Sequence, residues 1–171
     1  GVQLSVLEQG KEFDGTNDQI IMDHNSAFSP TTAITLEAWI KTTSTQEDYI
    51  FDKVEDSFYM AVNVPGNSGK ICMFLNNVSP AAWHCGGTVN DGAWHHVAGT
   101  YDGSAFKIYL DGINVQNDAA TGTILTGTSK VYIGQRQGTG PYFYTGSLAA
   151  ARIYNRALSS AELLQNCNGK V

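Results

Sequence analysis

Apolar and polar positions alternate in short runs along most of this chain. In 105–110, Phe106, Ile108 and Leu110 fall on one side, and Lys107 and Tyr109 on the other. A period of two over a short run predicts a strand with one buried face. The run 94–101 precedes it, and each run is followed by an Asp-Gly pair, Asp102-Gly103 and Asp111-Gly112. Asp-Gly between strand-like runs predicts hairpins, because glycine accepts positive φ and aspartate tolerates it. The same reading places strands at 4–7, 19–22, 35–41, 49–53, 58–63, 70–75, 82–86, 95–101, 105–110, 131–135 and 148–154. Turn signals recur between them, and helical periodicity is nearly absent. This pattern predicts an all-β, antiparallel sandwich. The exception is Ser159-Ser-Ala-Glu162, a capping-box pattern that predicts one short helical turn after the last strand. No linker, repeat or charge block divides residues 1–171, which read as a single domain.

Composition narrows the function classes. The net charge is −6 and the pI about 5.0, which argues against a nucleic-acid partner. No apolar run reaches the ~20 residues of a membrane span, so no membrane insertion is expected. The opening Gly1-Val-Gln reads as that of a mature or excised module. Of three cysteines, Cys72 and Cys85 flank a turn-like segment that would set them side by side. They form either a cross-strand disulfide, if the compartment is oxidising, or two half-buried thiols. Cys167 is left over.

Trp94-His-His-Val-Ala-Gly-Thr-Tyr-Asp-Gly103 followed by Lys107-Ile-Tyr-Leu-Asp-Gly112 resembles the laminin-G-like branch of the concanavalin A-like jelly rolls. Phe13-Asp-Gly-Thr-Asn-Asp18, Thr35-Leu-Glu-Ala-Trp-Ile-Lys41 and Arg152-Ile-Tyr-Asn-Arg-Ala-Leu-Ser159 fit in the expected order, over nearly the whole chain. The resemblance implies a jelly-roll sandwich in which the last strand returns beside the first, with Arg152, Asn155 and Arg156 structural. It is specific for fold and weak for ligand, since the architecture hosts lectins, adhesion modules, glycanases and lyases. Calcium is also implied, with Asp14 and Asp18 as ligands at the sandwich rim. The chain departs from the family pattern at Ala149-Ala150-Ala151, where acidic residues are usual, and a site relying on an acid there lacks it.

Catalysis finds little support in the residues. Glycanases of this fold carry Glu-x-Asp-x-Glu on one strand, and nothing here matches. The acidic residues Glu47, Asp48, Asp52, Glu55 and Asp56 straddle a hairpin and read as solvated turn charges. His95 and His96 begin a core strand, where one ring is expected to pack over the sheet. Binding reads better, because sugars are held by exposed aromatic faces with amides and charged groups around them. Tyr142 and Tyr144 are expected outward and Phe143 inward, with Arg136 just before them. Asn76, Asn77, Trp83 and His84 form a second group at the hairpin between the cysteines. Alternatively, these aromatics cover the end of the sandwich. Trp39 and Trp94 are assigned to the core.

The expectation is a non-catalytic, lectin-like module that binds an oligo- or polysaccharide. It would be monomeric alone, extracellular or surface-displayed, and joined to other domains of a larger protein. The rivals are a protein–protein adhesion or structural module and, behind it, a polysaccharide-degrading enzyme.

Overall fold

Alternation becomes strand pairing in the computed structural model, which describes residues 3–6, 10–53, 57–138, 140 and 142–169. In chain order the strands are β1 (Gln3–Val6), β2 (Lys11–Asp14), β3 (Ile20–Met22), β4 (Ile34–Lys41) and β5 (Asp48–Asp52). Next come β6 (Phe58–Val62), β7 (Lys70–Leu75), β8 (Val78–Ser79), β9 (His84–Thr88) and β10 (Trp94–Tyr101). The last five are β11 (Ala105–Leu110), β12 (Ile113–Ala119), β13 (Thr121–Gly122), β14 (Val131–Ile133) and β15 (Thr145–Tyr154), before the helix α1 (Ser160–Asn168).

The strands form two main antiparallel sheets. The first runs β1-β15-β4-β10-β11-β12, with β2 also pairing β15. The second runs β3-β14-β5-β6-β7-β9. The last long strand therefore lies beside the first, as the jelly-roll resemblance implies. Leu36, Ile40, Val97, Phe106 and Ile108 of one sheet join Phe51, Met60, Val62, Ile71 and Met73 of the other in one core. Gly99 allows a close approach of the sheets, since a Cβ there would lie 2.5 Å from the Met73 sulfur.

The helix is longer than the single turn expected. Its capping box is formed, with the Glu162 amide donating to Ser159 Oγ and the Ser159 amide donating to Glu162. Leu163 is drawn into a second small core with Ala98, Tyr109, Tyr154 and Leu158. That packing extends the helix and buries Tyr109 on the face opposite Ile108. Beneath it, buried Glu37 accepts from Arg152 Nη1 at 2.9 Å and from the Tyr154 hydroxyl at 3.1 Å. Arg156 pairs with Glu162 at 2.7 Å. Both arginines are therefore structural.

Several placements correct the sequence reading. Trp94 is 42% exposed, not core, because it opens β10 at the sheet's end. Trp39 is half-buried on the outer face, with its ring 5.5 Å from that of His96. Strands β2 and β12 were not anticipated; β12 is a polar edge strand with no clean alternation. Asp48 and Asp52 are buried, not solvated, because their strand is covered on both faces. Glu55 and Asp56 lie outside the described residues. Cys72 and Cys85 pair directly across β7 and β9 and are bonded, with S–S 2.05 Å. Cys167 is free.

Candidate functional site: an aromatic cleft on the outer face of the second sheet

Strand register assembles this site. On the outer face of the second sheet, Tyr132 pairs with Asp52, Asp52 with Tyr59, and Tyr59 with Phe74. One step along, Tyr49 pairs with Ala61, Ala61 with Cys72, and Cys72 with Cys85. Alternation puts Phe58, Met60 and Val62 inward and leaves Tyr59 and Ala61 outward. The second row is small beyond Tyr49, so the aromatics stand over a low floor of Ala61 and the disulfide.

Trp83 arrives just before β9, two residues from Cys85, and closes the group. Its ring lies 5.5 Å from Phe74, 6.2 Å from Tyr59 and 6.2 Å from Tyr49. Tyr142 meets Tyr49 edge-on at 5.9 Å. These separations suit edge-to-face and tilted aromatic packing. The result is a cleft of about 360 Å³ lined by Glu47, Tyr49, Tyr59, Pro65, Phe74, Asn76, Trp83 and Arg136.

Arg136 is set by its backbone and by the rings. Its amide donates to the Tyr142 carbonyl at 3.0 Å, beside a bridge between Gln135 and Phe143. Gly140 sits in the intervening turn at φ +138°, where a Cβ would lie 2.5 Å from the Tyr142 ring. The guanidinium carbon lies 5.3 Å from the Tyr49 centroid, 5.9 Å from Tyr59 and 5.4 Å from Tyr142. Those distances place a cation over three electron-rich faces.

Acidic groups around the cleft are constrained. Asp52 is fully buried, and its Oδ2 accepts the Gln137 amide at 2.6 Å while Oδ1 has no partner among the described residues. Burial pushes its carboxyl up to about 7, against the Gln137 amide and the Arg136 charge. Asp48 is pushed up to about 6 by burial, opposed by bonds from Ser44 and the Thr145 amide. Glu47 accepts the Tyr49 hydroxyl at 2.8 Å. Burial, and then that bond to Glu47, drives the Tyr49 phenol far above its ordinary range.

The residues expected to bind separate into two groups. Trp83, Arg136 and Asn76 line the cleft, and Tyr142 packs against it. Asn77 does not line it. This residue turns the chain at φ 65° and donates to the Thr123 carbonyl at 2.9 Å. His84 is 4% exposed and cannot line a surface. It faces inward opposite Met73, stacks on Phe106 at 3.8 Å and holds Asp118 at 2.8 Å. Tyr144 is also a correction, being fully buried edge-on to Phe13 while Phe143 is half-buried. The alternation fails because the chain passes here from the second sheet to the first, where β15 begins. His96 packs on Trp39, and His95 is held between Asp111 at 2.9 Å and Asp91 at 3.1 Å.

Tyr49, Tyr59, Phe74 and Glu47 were missed in the sequence. The runs 58–62 and 71–75 are apolar throughout, so the sequence does not separate the outward Tyr59 and Phe74 from core residues.

Asp14 and Asp18 each use one carboxylate oxygen within their own turn. Asp18 Oδ2 accepts the Asp14 amide at 3.0 Å, and Asp14 Oδ1 accepts the Thr16 amide at 2.8 Å. Calcium takes six to eight oxygens. Among the described residues no three acidic, histidine or cysteine side chains gather to hold a metal, and Ala149, Ala150 and Ala151 are buried.

The architecture is an antiparallel jelly roll with an aromatic, partly charged cleft on one sheet face. The sequence profile of a laminin-G-type family, described as the concanavalin A-like lectin/glucanases superfamily, matches residues 14–164. The chain belongs to that superfamily. No curated protein matches it significantly. Among solved structures it is similar to the binding domain of Paraclostridial Mosquitocidal Protein 1, at 13% identity and TM-score 0.75, over 98% of this chain and 45% of that one. It thus spans less than half of that relative. It is also similar to the heptameric SAP-like pentraxin of Limulus polyphemus, at 19% identity and TM-score 0.71, over 92% of this chain and 81% of that one. A third is domain 4 of the extracellular arabinanase AbnA from Geobacillus stearothermophilus, in complex with arabinotriose. There the identity is 15% and the TM-score 0.61, over 94% of this chain and 98% of that one. At these identities the likeness is one of fold.

Proposed function

We propose that this domain is a non-catalytic carbohydrate-binding module that seats an oligosaccharide in the aromatic cleft. The observation that carries the reading is the half-exposed group of Tyr59, Phe74 and Trp83, flanked in one cleft by Glu47, Asn76 and Arg136. Aromatic rings receive the C–H faces of sugars, and the polar rim takes the hydroxyls. The arabinotriose complex of a domain with this fold supports the same class of ligand.

Access supports the non-catalytic reading. A glycosidic acid must reach the leaving oxygen within hydrogen-bond distance. Asp52 has an elevated pKa that would suit such an acid, but it is fully buried beneath the sheet's outer row. Among the described residues lining the cleft, Glu47 then has no second carboxyl beside it. The Cys72–Cys85 disulfide supports a secreted or surface-displayed setting, since such bonds persist in oxidising compartments. Among the described residues no helix is long and apolar enough to cross a membrane.

The test is a glycan array followed by calorimetry on the hits. Trp83→Ala is expected to weaken binding by about tenfold or more, as loss of one stacked aromatic removes on the order of 1.4 kcal/mol. Undiminished affinity in a folded Trp83→Ala protein would remove the cleft from the binding event.

A further inference from the structure

We propose that the sugar held in this cleft carries a carboxylate, and that the guanidinium of Arg136 receives it. The inference rests on the cleft being the glycan site and names the class of glycan.

Among the described residues Arg136 is a cation without an anion. No ion pair among the described residues includes it, and its described contacts are backbone bonding and the three ring faces. Asp52, whose charge it feels, is directed to the Gln137 amide instead and is largely protonated below about 7. Glu47, the other charged residue lining the cleft, is tethered by the Tyr49 hydroxyl and lies beyond ion-pair distance of the guanidinium. The rings lie around the guanidinium carbon, and no hydrogen bond among the described residues engages its side-chain N–H groups, which leaves them as the free donor set.

A guanidinium edge is a planar fork that matches a carboxylate in two parallel hydrogen bonds, and it is less heavily hydrated than an ammonium. Sugar hydroxyls fill single donors, but only an oxyanion uses the fork and the charge together. Glu47 at the tethered rim repels an anion and accepts hydroxyls. The two charges therefore orient the ligand, with its acidic end at Arg136 and a neutral stretch over Tyr59, Phe74 and Trp83. This arrangement selects a uronate- or sialate-type sugar in a protein whose net charge of −6 otherwise repels one.

The experiment titrates the whole domain with matched pairs, followed by calorimetry. These are oligogalacturonate and its methyl ester, sialyllactose and lactose, and a sulfated galactan oligosaccharide with its desulfated form. The acidic member of at least one carboxylate pair is expected to bind about tenfold tighter than its neutral counterpart. The preference should shrink as salt is raised. Arg136→Gln should abolish the preference while leaving residual neutral-sugar binding. Arg136→Lys, which keeps the charge and loses the fork, should retain only part of it and serves if the glutamine variant fails to fold. Equal binding of acid and ester, or a preference confined to the sulfated probe, overturns the carboxylate assignment and leaves the glycan reading standing. A folded protein that binds no sugar, acidic or neutral, on the probes and the array removes both.

Discussion

Asp52 shows how much a single residue's setting can differ from its setting in the sequence. Beside Lys53 and close to Glu47 and Asp48 it reads as a turn charge, yet it is fully enclosed with one oxygen unpaired among the described residues. Its folded pKa of about 7 lies above the ordinary carboxylate value near 4. The folded state therefore holds a proton that the unfolded chain has released between about pH 4 and 7. Its stabilisation is complete below pH 4 and is lost as pH rises through about 7. Asp52→Asn keeps an acceptor for the Gln137 amide and removes the charge. The variant is expected to melt higher than the parent at pH 8, by at least ~3 °C, with a much smaller difference at pH 4. Thermal melts at the two pH values check this; an equal shift at both would mean that ionisation of Asp52 carries no cost. Tyr144 teaches the complementary lesson. Its sequence neighbours mark a sugar-binding loop, but a change of sheet between residues 143 and 145 turns the ring into the core.

At the scale of elements, the hairpin of β7 and β9 carries Trp83 to its neighbours. The disulfide between them closes a short loop, with a sequence separation of 13. Loop-closure entropy for such a length gives about 3 kcal/mol of stabilisation. The paired Cys72→Ser, Cys85→Ser protein is expected to melt lower by on the order of 10 °C. It should also lose sugar affinity, because Trp83 is anchored two residues from the bond. Melts and calorimetry on the same sample test both effects. Retained affinity at the lower melting temperature would show that ring packing alone holds the tryptophan. The strands of this sheet were legible as short apolar runs bounded by turn signals, but a run such as Phe58-Tyr-Met-Ala-Val62 is apolar throughout and does not show which residues face outward. Strand β12 was not legible, since an edge strand with polar residues on both faces lacks the period that announces a strand. Helix α1 was seen only at its capping box, because its extension depends on Leu163 reaching a pocket between Tyr109 and Leu158.

Over the whole molecule, buried and paired titrating groups set the pH range in which the sandwich is most stable. Asp48 and Asp52 have folded pKa values raised to about 6 and about 7. Burial opposes a charge on His95, but Asp111 and Asp91 outweigh it and hold its pKa above the ordinary value. All three contributions are lost as pH rises through the folded values. Burial likewise opposes ionisation of Glu37, yet His96, Arg152 and Asn166 lower its pKa, and His84 lowers that of Asp118. Those contributions are lost as pH falls through the folded values. Stability is therefore expected to peak between about pH 4 and 6 and to decline toward pH 8. A melting series from pH 3 to 9 tests it, and a maximum above pH 7 would contradict the signs assigned. From its sequence alone the chain reads as an antiparallel β-sandwich with a capped helical turn at its end, and its resemblance to the laminin-G-like branch implies that the sandwich is a jelly roll. Alternation, Asp-Gly turns and the capping box are local rules that hold wherever the segment sits. The cleft was decided by tertiary structure, because Tyr49, Tyr59, Phe74, Trp83, Arg136 and Tyr142 come from separate strands and loops. Strand register places Tyr49, Tyr59 and Phe74 together, the loops flanking those strands bring in the other three, and register depends on which sheet each strand joins and which face it buries.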